Sequence, residues 1–197
     1  MTPPSARIPV CLVTGAASAD KQGFLHALLA ARPAGERWAV LDNDGGDLTR
    51  DSQPMQLTVA AVNGCACCTG QVALQAGIAQ LARQSRPQRL IIAAAGVAEP
   101  AALERALQQE DLARGIRVSH RLCVVAPPLL AALPPSARDL LQRQMTAADH
   151  VVAVNAAAAA ALHASGIAGV IQMEEAIRLV LTDPAPASSA SSRRIAS

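Results

Sequence analysis

Three cysteines lie within four positions of the segment NGCACCT (63–69). Thiolates bind soft and borderline metals such as zinc, and a closed structural zinc site takes four ligands. The segment offers three, so water, a carboxylate such as Asp42 or Asp44, or a second subunit would have to complete the shell. An incomplete shell suits a metal that must leave again. We therefore predict a site for Zn²⁺ or another divalent metal, with a redox switch or three inert apolar side chains as the alternatives. The predicted ligands are Cys65, Cys67 and Cys68.

Lys21 is the only lysine among the 17 basic residues of the chain. It follows a strand-like apolar run and precedes a helical pattern, which is where a P-loop has its Gly-x4-Gly-Lys-Ser/Thr sequence. In a P-loop, backbone amides surround the phosphates, the lysine reaches them and the hydroxyl binds magnesium. Here Gly15 and Lys21 are in register, whereas Asp20 and Gln22 replace the second glycine and the hydroxyl. The pattern indicates a P-loop-derived turn, with an ordinary strand-to-helix turn as the alternative.

The same two replacements predict weak triphosphate binding. A carboxylate at Asp20 would repel phosphate oxygens: two unit charges about 4 Å apart cost roughly 4 kcal/mol at an effective dielectric of about 20. An energy of that size lowers the affinity for phosphate on the order of a thousandfold. Gln22 offers a neutral amide oxygen in place of the hydroxyl. We therefore expect neither GTP nor Mg²⁺ to bind strongly, and Lys21 to keep at most a weak phosphate contact.

Apolar, strand-like runs alternate with helical patterns along the chain. The alternation predicts an α/β fold, a P-loop NTPase-like parallel sheet with helices on both faces, in a single domain over 1–182. The Pro-, Ala- and Ser-rich segment 183–197 is predicted to be a disordered tail. Strands are expected at 7–15, 37–46, 55–62, 88–96, 117–126 and 149–155, and helices at 23–31, 72–84, 101–113, 137–145 and 173–181.

The composition excludes several classes of partner. A net charge of +2 and 1% aromatic residues provide neither a strong field nor stacking platforms, so we expect no nucleic-acid binding. The longest apolar run, 151–162, is too short to span a bilayer, and no secretory pattern is found, so we expect no membrane association and a cytoplasmic location.

An odd count of five cysteines does not suggest disulfides in the cytoplasm. Cys11 and Cys123 lie in apolar strands and are predicted to be core residues.

Taken together, these residues resemble the CobW-like GTPases, metal-handling relatives of the nickel-insertion GTPases of urease and hydrogenase (the CobW/HypB/UreG group). The resemblance is nearly colinear over residues 8–160. GAASADKQGFLHALL (15–29) aligns with the family's P-loop and first helix, and Gly64–Cys68 reproduces its cysteine motif. IIAAAGVAEP (91–100) looks like its Glu-Thr-Thr-Gly-Leu-Ala-Asp-Pro segment, and RQMTAADHVVAVN (143–155) resembles its Gln-x3-Ala-Asp stretch. In active relatives, the resemblance implies, GTP and magnesium order switch regions and hydrolysis gates metal release.

The departures from the family pattern concentrate in the nucleotide site. The family's glutamate before Thr-Thr-Gly falls on Ala93, and its Asn-Glu-Phe-Gly segment reads Asp42–Gly45. Asn155 of the guanine motif is kept, but the lysine and aspartate of that motif fall on Ala156 and Ala158. Without the aspartate, nothing accepts the guanine N1 and N2 hydrogens, so base discrimination should largely disappear. The nucleotide-binding candidates are thus Gly15, Lys21, Gln22 and Asn155, and whether the chain is an enzyme stays open.

We expect a metal-binding member of this family with a degraded nucleotide site, no catalytic residues and little or no GTPase turnover. One competing hypothesis is a working GTPase in which Gln22 and the acidic group Asp42–Asp44 substitute for the lost ligands. The other is a non-catalytic interaction module that binds a true, full-length CobW-like protein, with the alanine-rich segment 156–164 as its surface. Besides the metal ion, the expected partners of the protein are a client metalloprotein and a second copy of the chain in a homodimer.

Overall fold

The computed structural model describes residues 7–45, 48, 57–61 and 69–184 of the chain. Seven strands are found there: β1 (Ile8–Thr14), β2 (Trp38–Asp42), β3 (Leu57–Ala61), β4 (Arg89–Ala93), β5 (Ile116–Val124), β6 (His150–Ala153) and β7 (Val170–Gln172). They form one sheet in the order β3-β2-β4-β1-β5-β6-β7. Each neighbouring pair runs parallel, so the carboxyl ends of the strands share one edge of the sheet.

Helices connect the strands and cover both faces of the sheet. Those in the described ranges are α1 (Ala19–Ala30), α2 (Thr69–Ser85), α3 (Pro100–Leu107), α4 (Glu110–Ala113), α5 (Pro127–Ala132), α6 (Pro135–Ala147), α7 (Ala156–Ala164) and α8 (Met173–Thr182). Helices α1 and α8 pack on one face, and α2, α3, α6 and α7 contribute to the apolar clusters of the other. No helix in these ranges is long and apolar enough to cross a bilayer.

Strand β1 shows why the strands of this sheet appear in the sequence as continuous apolar runs. Val10 and Leu12 belong to the cluster that includes side chains of α2 and α3. Cys11 and Val13 point to the opposite face and pack with Phe24 of α1. Because successive side chains of a strand alternate between faces and both faces are covered, the strand is apolar on both sides. Its last residue, Thr14, is buried with its hydroxyl donating to the carbonyl oxygen of Leu122 (3.3 Å).

The predicted α/β fold with a parallel sheet is confirmed, and each predicted strand and helix overlaps an observed one. The pattern at 101–113 divides into α3 and α4. Three elements were not predicted: β7, which has three residues, α5, which has six, and α7. Alanine has the highest helix propensity, and Asn155 caps α7 because its Oδ1 accepts a hydrogen bond from the backbone amide of Ala158 (2.8 Å). The apolar run at 151–162 therefore divides into a strand and a helix.

Arg89 joins the amino end of β4 to the end of α8. Its side chain is buried, and its guanidinium donates to the carbonyl oxygens of Val180 (2.6 Å) and Asp183 (2.9 Å). The guanidinium also lies 5.4 Å from the ring centroid of Trp38. Of the segment predicted as a tail, Asp183 and Pro184 are described, and residues 185–197 lie outside the described residues. The domain boundary at 182 stays a prediction.

Gly15, directly after β1, has a conformation and a packing environment that require glycine. Its φ is +119°, and a Cβ at this position would collide with the carbonyl oxygen of Val124. We predict that Gly15→Ala lowers the free energy of unfolding by about 2–4 kcal/mol in urea denaturation. Gly23→Ala is the matched control, because Gly23 lies inside α1 with nothing within 4 Å of its Cβ position.

The control should instead stabilise the protein by about 0.5–1 kcal/mol, since alanine loses less backbone entropy in a helix than glycine. Equal unfolding free energies for the two variants would contradict this account of the first turn.

Candidate nucleotide and metal site

The candidate site lies at the carboxyl edge of the sheet, where ligands bind in parallel α/β folds. Strand β1 is central and is bordered by β4 and β5. The turn after β1 begins at Gly15, β2 ends at Asp42, and the turn after β4 contains Ala94 and Gly96. The topology therefore brings three loops from separate parts of the sequence to one place.

Lys21 is at the centre of this edge and is completely buried. Its ammonium Nζ lies 2.9 Å from the carbonyl oxygens of Gly15 and Ala94 and 2.9 Å from Oδ1 of Asp44. A lysine ammonium has three N–H donors, so these three oxygens use its full capacity. Burial lowers the pKa of Lys21 below its ordinary value, and the hydrogen bond and charge of Asp44 oppose that shift.

Asp44 contacts Gln22 and Asp42, the residues that the competing GTPase hypothesis groups with it. In the structure, however, the Asp44 carboxylate binds Lys21. Its Oδ1 also accepts a hydrogen bond from the backbone amide of Gly96 (3.1 Å), and its Oδ2 accepts one from Nε2 of Gln22 (3.2 Å). The backbone amide of Asp44 donates to Oδ1 of Asp42 (3.0 Å). The Asp44 carboxylate, considered above as a metal ligand, is therefore engaged with Lys21.

Ser18 satisfies two backbone amides at the start of α1. Ser18 is the N-cap: its Oγ accepts from the amide of Lys21 (3.1 Å) and its carbonyl oxygen accepts from the amide of Gln22 (3.1 Å). The helix begins at Ala19, earlier than the apolar pattern from 23 predicts, because the polar first turn has a cap and an acidic residue, Asp20, that complements the helix dipole.

Gln144 is a site residue that the sequence analysis did not single out. It is buried in α6, where its Oε1 accepts from the amide of Gly15 (3.2 Å). Its Nε2 donates to the carbonyl oxygens of Gly96 (3.2 Å) and Ala98 (2.8 Å). One amide side chain thus joins the turn after β1 to the turn after β4. The signal was available, since Gln144 is the glutamine of the Gln-x3-Ala-Asp stretch.

Asn155, the fourth predicted nucleotide-binding residue, follows β6 at the same edge of the sheet. The N-cap bond to Ala158 uses its side-chain oxygen, so the structure gives this asparagine a local role in starting α7. Its contact with a base stays a prediction.

The three cysteines predicted to bind metal, Cys65, Cys67 and Cys68, lie outside the described residues. Strand β3 ends at Ala61 and α2 begins at Thr69, so the segment joins two elements whose ends belong to the carboxyl edge. Within the described ranges, no group of three or more His, Cys, Asp or Glu residues could hold a metal ion. Cys11 and Cys123 are buried, as predicted, and burial raises the pKa of each thiol to about 12.

A cavity of about 490 Å³ lies away from these residues. It is lined by residues such as Asp149 and His150, at the start of β6, and Gly169, just before β7. These are the amino ends of the strands, on the edge opposite Lys21. The cavity therefore does not belong to the candidate site.

The Gln144 contacts predict a specific loss of stability. Gln144→Met keeps the size of the side chain but leaves the amide of Gly15 and the carbonyls of Gly96 and Ala98 without this partner. An unsatisfied buried polar group costs about 1–3 kcal/mol, so we expect the unfolding free energy to fall by about 2–4 kcal/mol in urea denaturation. Gln142→Met, on the exposed side of the same helix, should change it by less than about 0.5 kcal/mol. If Gln144→Met is as stable as the control, Gln144 does not hold the turns after β1 and β4 together.

Comparisons with known proteins agree with this architecture. Residues 9–175 match the family model described as CobW/HypB/UreG, nucleotide-binding domain. The chain is 30% identical over 146 residues to the zinc chaperone YeiR of Escherichia coli, an alignment that covers 72% of this chain and 44% of YeiR. It is 32% identical over 115 residues to the zinc-regulated GTPase metalloprotein activator 1 of Schizosaccharomyces pombe, covering 53% and 28% of the two chains. The chain thus spans less than half the length of these relatives.

Solved structures share the fold. The Zn(II)-bound YjiA GTPase of E. coli superposes with a TM-score of 0.59 at 20% identity, covering 84% of this chain and 57% of YjiA. A Zn(II)-bound triple mutant of YjiA gives a TM-score of 0.60 at 21% identity with the same coverage. The match to the family model over residues 9–175 shows that this chain belongs to the CobW/HypB/UreG family of nucleotide-binding domains.

Proposed function

We propose that this chain binds Zn²⁺, or another divalent metal, through Cys65, Cys67 and Cys68 and acts in zinc delivery with little or no GTPase activity. The observation that carries the proposal is the cysteine motif at 64–68 in a chain of this family. The names of its relatives point the same way, since one is a zinc chaperone and another a zinc-regulated GTPase.

The position of the motif favours thiolate chemistry. The three cysteines come directly before α2, which begins at Thr69, and a helix N-terminus lowers the pKa of nearby thiols. Three thiolates leave at least one position of a tetrahedral zinc site for another ligand. Because the Asp44 carboxylate already contacts Lys21, we assign that position to water, a client metalloprotein or a second subunit. A site completed by a partner can pass its metal on.

The nucleotide side of the family's chemistry is weakened by the residues at the site. The positions of the family's γ-phosphate carboxylate and guanine-binding aspartate are Ala93 and Ala158. Lys21, which would contact phosphate, has its three donors bound to oxygens of the chain itself. We therefore propose metal binding that does not require GTP hydrolysis.

The metal site predicts a large change in zinc affinity. Replacing Cys65, Cys67 and Cys68 together by serine should weaken Zn²⁺ binding by more than about a hundredfold, because serine hydroxyls are poor zinc ligands. Competition between the reduced protein and a chromophoric chelator measures this affinity. Cys11→Ala and Cys123→Ala are the controls and should leave it unchanged, since both thiols are buried and protonated at neutral pH.

Equal zinc affinity in the wild type and the triple serine variant would refute the metal site. Formation of a disulfide among the three cysteines, without metal binding by the reduced protein, would favour the redox hypothesis instead.

The degraded nucleotide site predicts the absence of turnover. Release of phosphate from GTP in the presence of Mg²⁺ should be no faster than in a Lys21→Ala variant, because that lysine is already engaged within the chain. The rate should also not change when zinc is added. Turnover that exceeds the Lys21→Ala control would support the competing hypothesis of a working GTPase.

A further inference from the structure

We propose that Asp44 is an internal anion that occupies the phosphate position of the site and excludes phosphate ligands from Lys21. The Asp44 side chain is 2% exposed, and its carboxylate accepts from Nζ of Lys21, the amide of Gly96 and the amide side chain of Gln22. Ammonium and backbone amide donors directed at one oxyanion are the means by which a P-loop binds phosphate. Here a carboxylate of the same chain receives them.

The lysine has no remaining capacity for a second anion. Gly15, Ala94 and Asp44 each provide an oxygen 2.9 Å from Nζ. An ammonium group has three donors, so a phosphate oxygen can contact Lys21 only after one of these oxygens leaves. Of the three, Asp44 is the only one on a side chain, and the other two are carbonyl oxygens of the backbone.

Three backbone donors around the lysine are also in use. The amides of Lys21 and Gln22 donate to Ser18, and the amide of Gly15 donates to Gln144. Gly96 packs so closely on the first turn that a Cβ there would lie 2.6 Å from the backbone nitrogen of Ala17. The two turns therefore pack closely beside the carboxylate, and these three amides are satisfied without phosphate.

The contact also determines which loops are held together. Asp44 joins the loop after β2 to Lys21 and Gln22 of α1 and to the turn after β4, without any bound nucleotide. In nucleotide-regulated relatives of this fold class, phosphate and magnesium order such loops. Here a carboxylate of the chain does so. The inference rests on the lost nucleotide site in the proposed function and is independent of metal binding.

Removing the carboxylate should open the site to a phosphate anion. We expect inorganic pyrophosphate to bind Asp44→Ala at least about a hundredfold more tightly than the wild type in isothermal titration. The reason is that a like charge about 4 Å away is worth on the order of a thousandfold at an effective dielectric of about 20. Pyrophosphate should also raise the Tm of this variant and leave that of the wild type unchanged.

Two controls locate the effect. Asp20→Ala removes the same charge from the first turn of α1, where Asp20 lies. The sequence alone places the cost, on the order of a thousandfold, at Asp20, but in the structure it is Asp44 that contacts the ammonium. We therefore expect Asp20→Ala to gain less than about tenfold. Combining Lys21→Ala with Asp44→Ala should abolish the gain. All proteins should carry the Cys65, Cys67 and Cys68 to serine changes, so that metal takes no part.

The proposal is refuted if wild type and Asp44→Ala bind pyrophosphate equally, or if the double variant binds as tightly as Asp44→Ala. Should Asp44→Ala fail to fold, Asp44→Asn keeps the shape without the charge. Pyrophosphate must then raise the Tm of Asp44→Asn and not that of the wild type, and no difference between the two refutes the proposal. If the chelator competition instead shows no zinc binding by the cysteines, the proposed metal site is refuted, but the pyrophosphate result for Asp44 is unaffected.

Discussion

The arrangement of the loops depends on one buried charge, the ammonium of Lys21. A buried cation is stable only when its hydrogen bonds and its charge are both satisfied, and breaking a buried ion pair typically costs about 3–5 kcal/mol. The oxygens that satisfy it come from the turn after β1, the loop after β2 and the turn after β4. These three loops must therefore stay close together as long as the ammonium is buried. Gln144, on the helix layer opposite α1, adds hydrogen bonds to the turns after β1 and β4.

Much of the fold could be predicted from the sequence because its signals are local. Six strands appear as apolar runs in the sequence, and the position of the single lysine, after a strand and a glycine, identified the centre of the site. The contacts that define the site could not be predicted in the same way. Asp44 is 23 residues from Lys21, and Gln144 is 129 residues from Gly15. Their pairing follows from the order of the strands, which apolar periodicity does not specify.

Thiol and phosphate chemistry have separate requirements in this family. Phosphate binding needs open donors and a cation that can approach a ligand, whereas metal binding by thiolates needs sulfur atoms and little else. Here the ammonium of Lys21 and three backbone amides beside it are bonded within the chain, while the cysteine motif is complete in the sequence. Under the proposed function, loss of phosphate binding therefore leaves the metal-binding thiols unaffected.

Strand β4 is held at both of its ends. At the amino end, Arg89 is fixed to α8 and lies against Trp38. Beyond the carboxyl end, the carbonyl of Ala94 accepts from Lys21. A strand anchored in this way cannot slide against β1 and β2 without breaking buried polar contacts at one end or the other. A rearrangement around β4 therefore takes place in the turn beyond Ala93 and not in the strand itself.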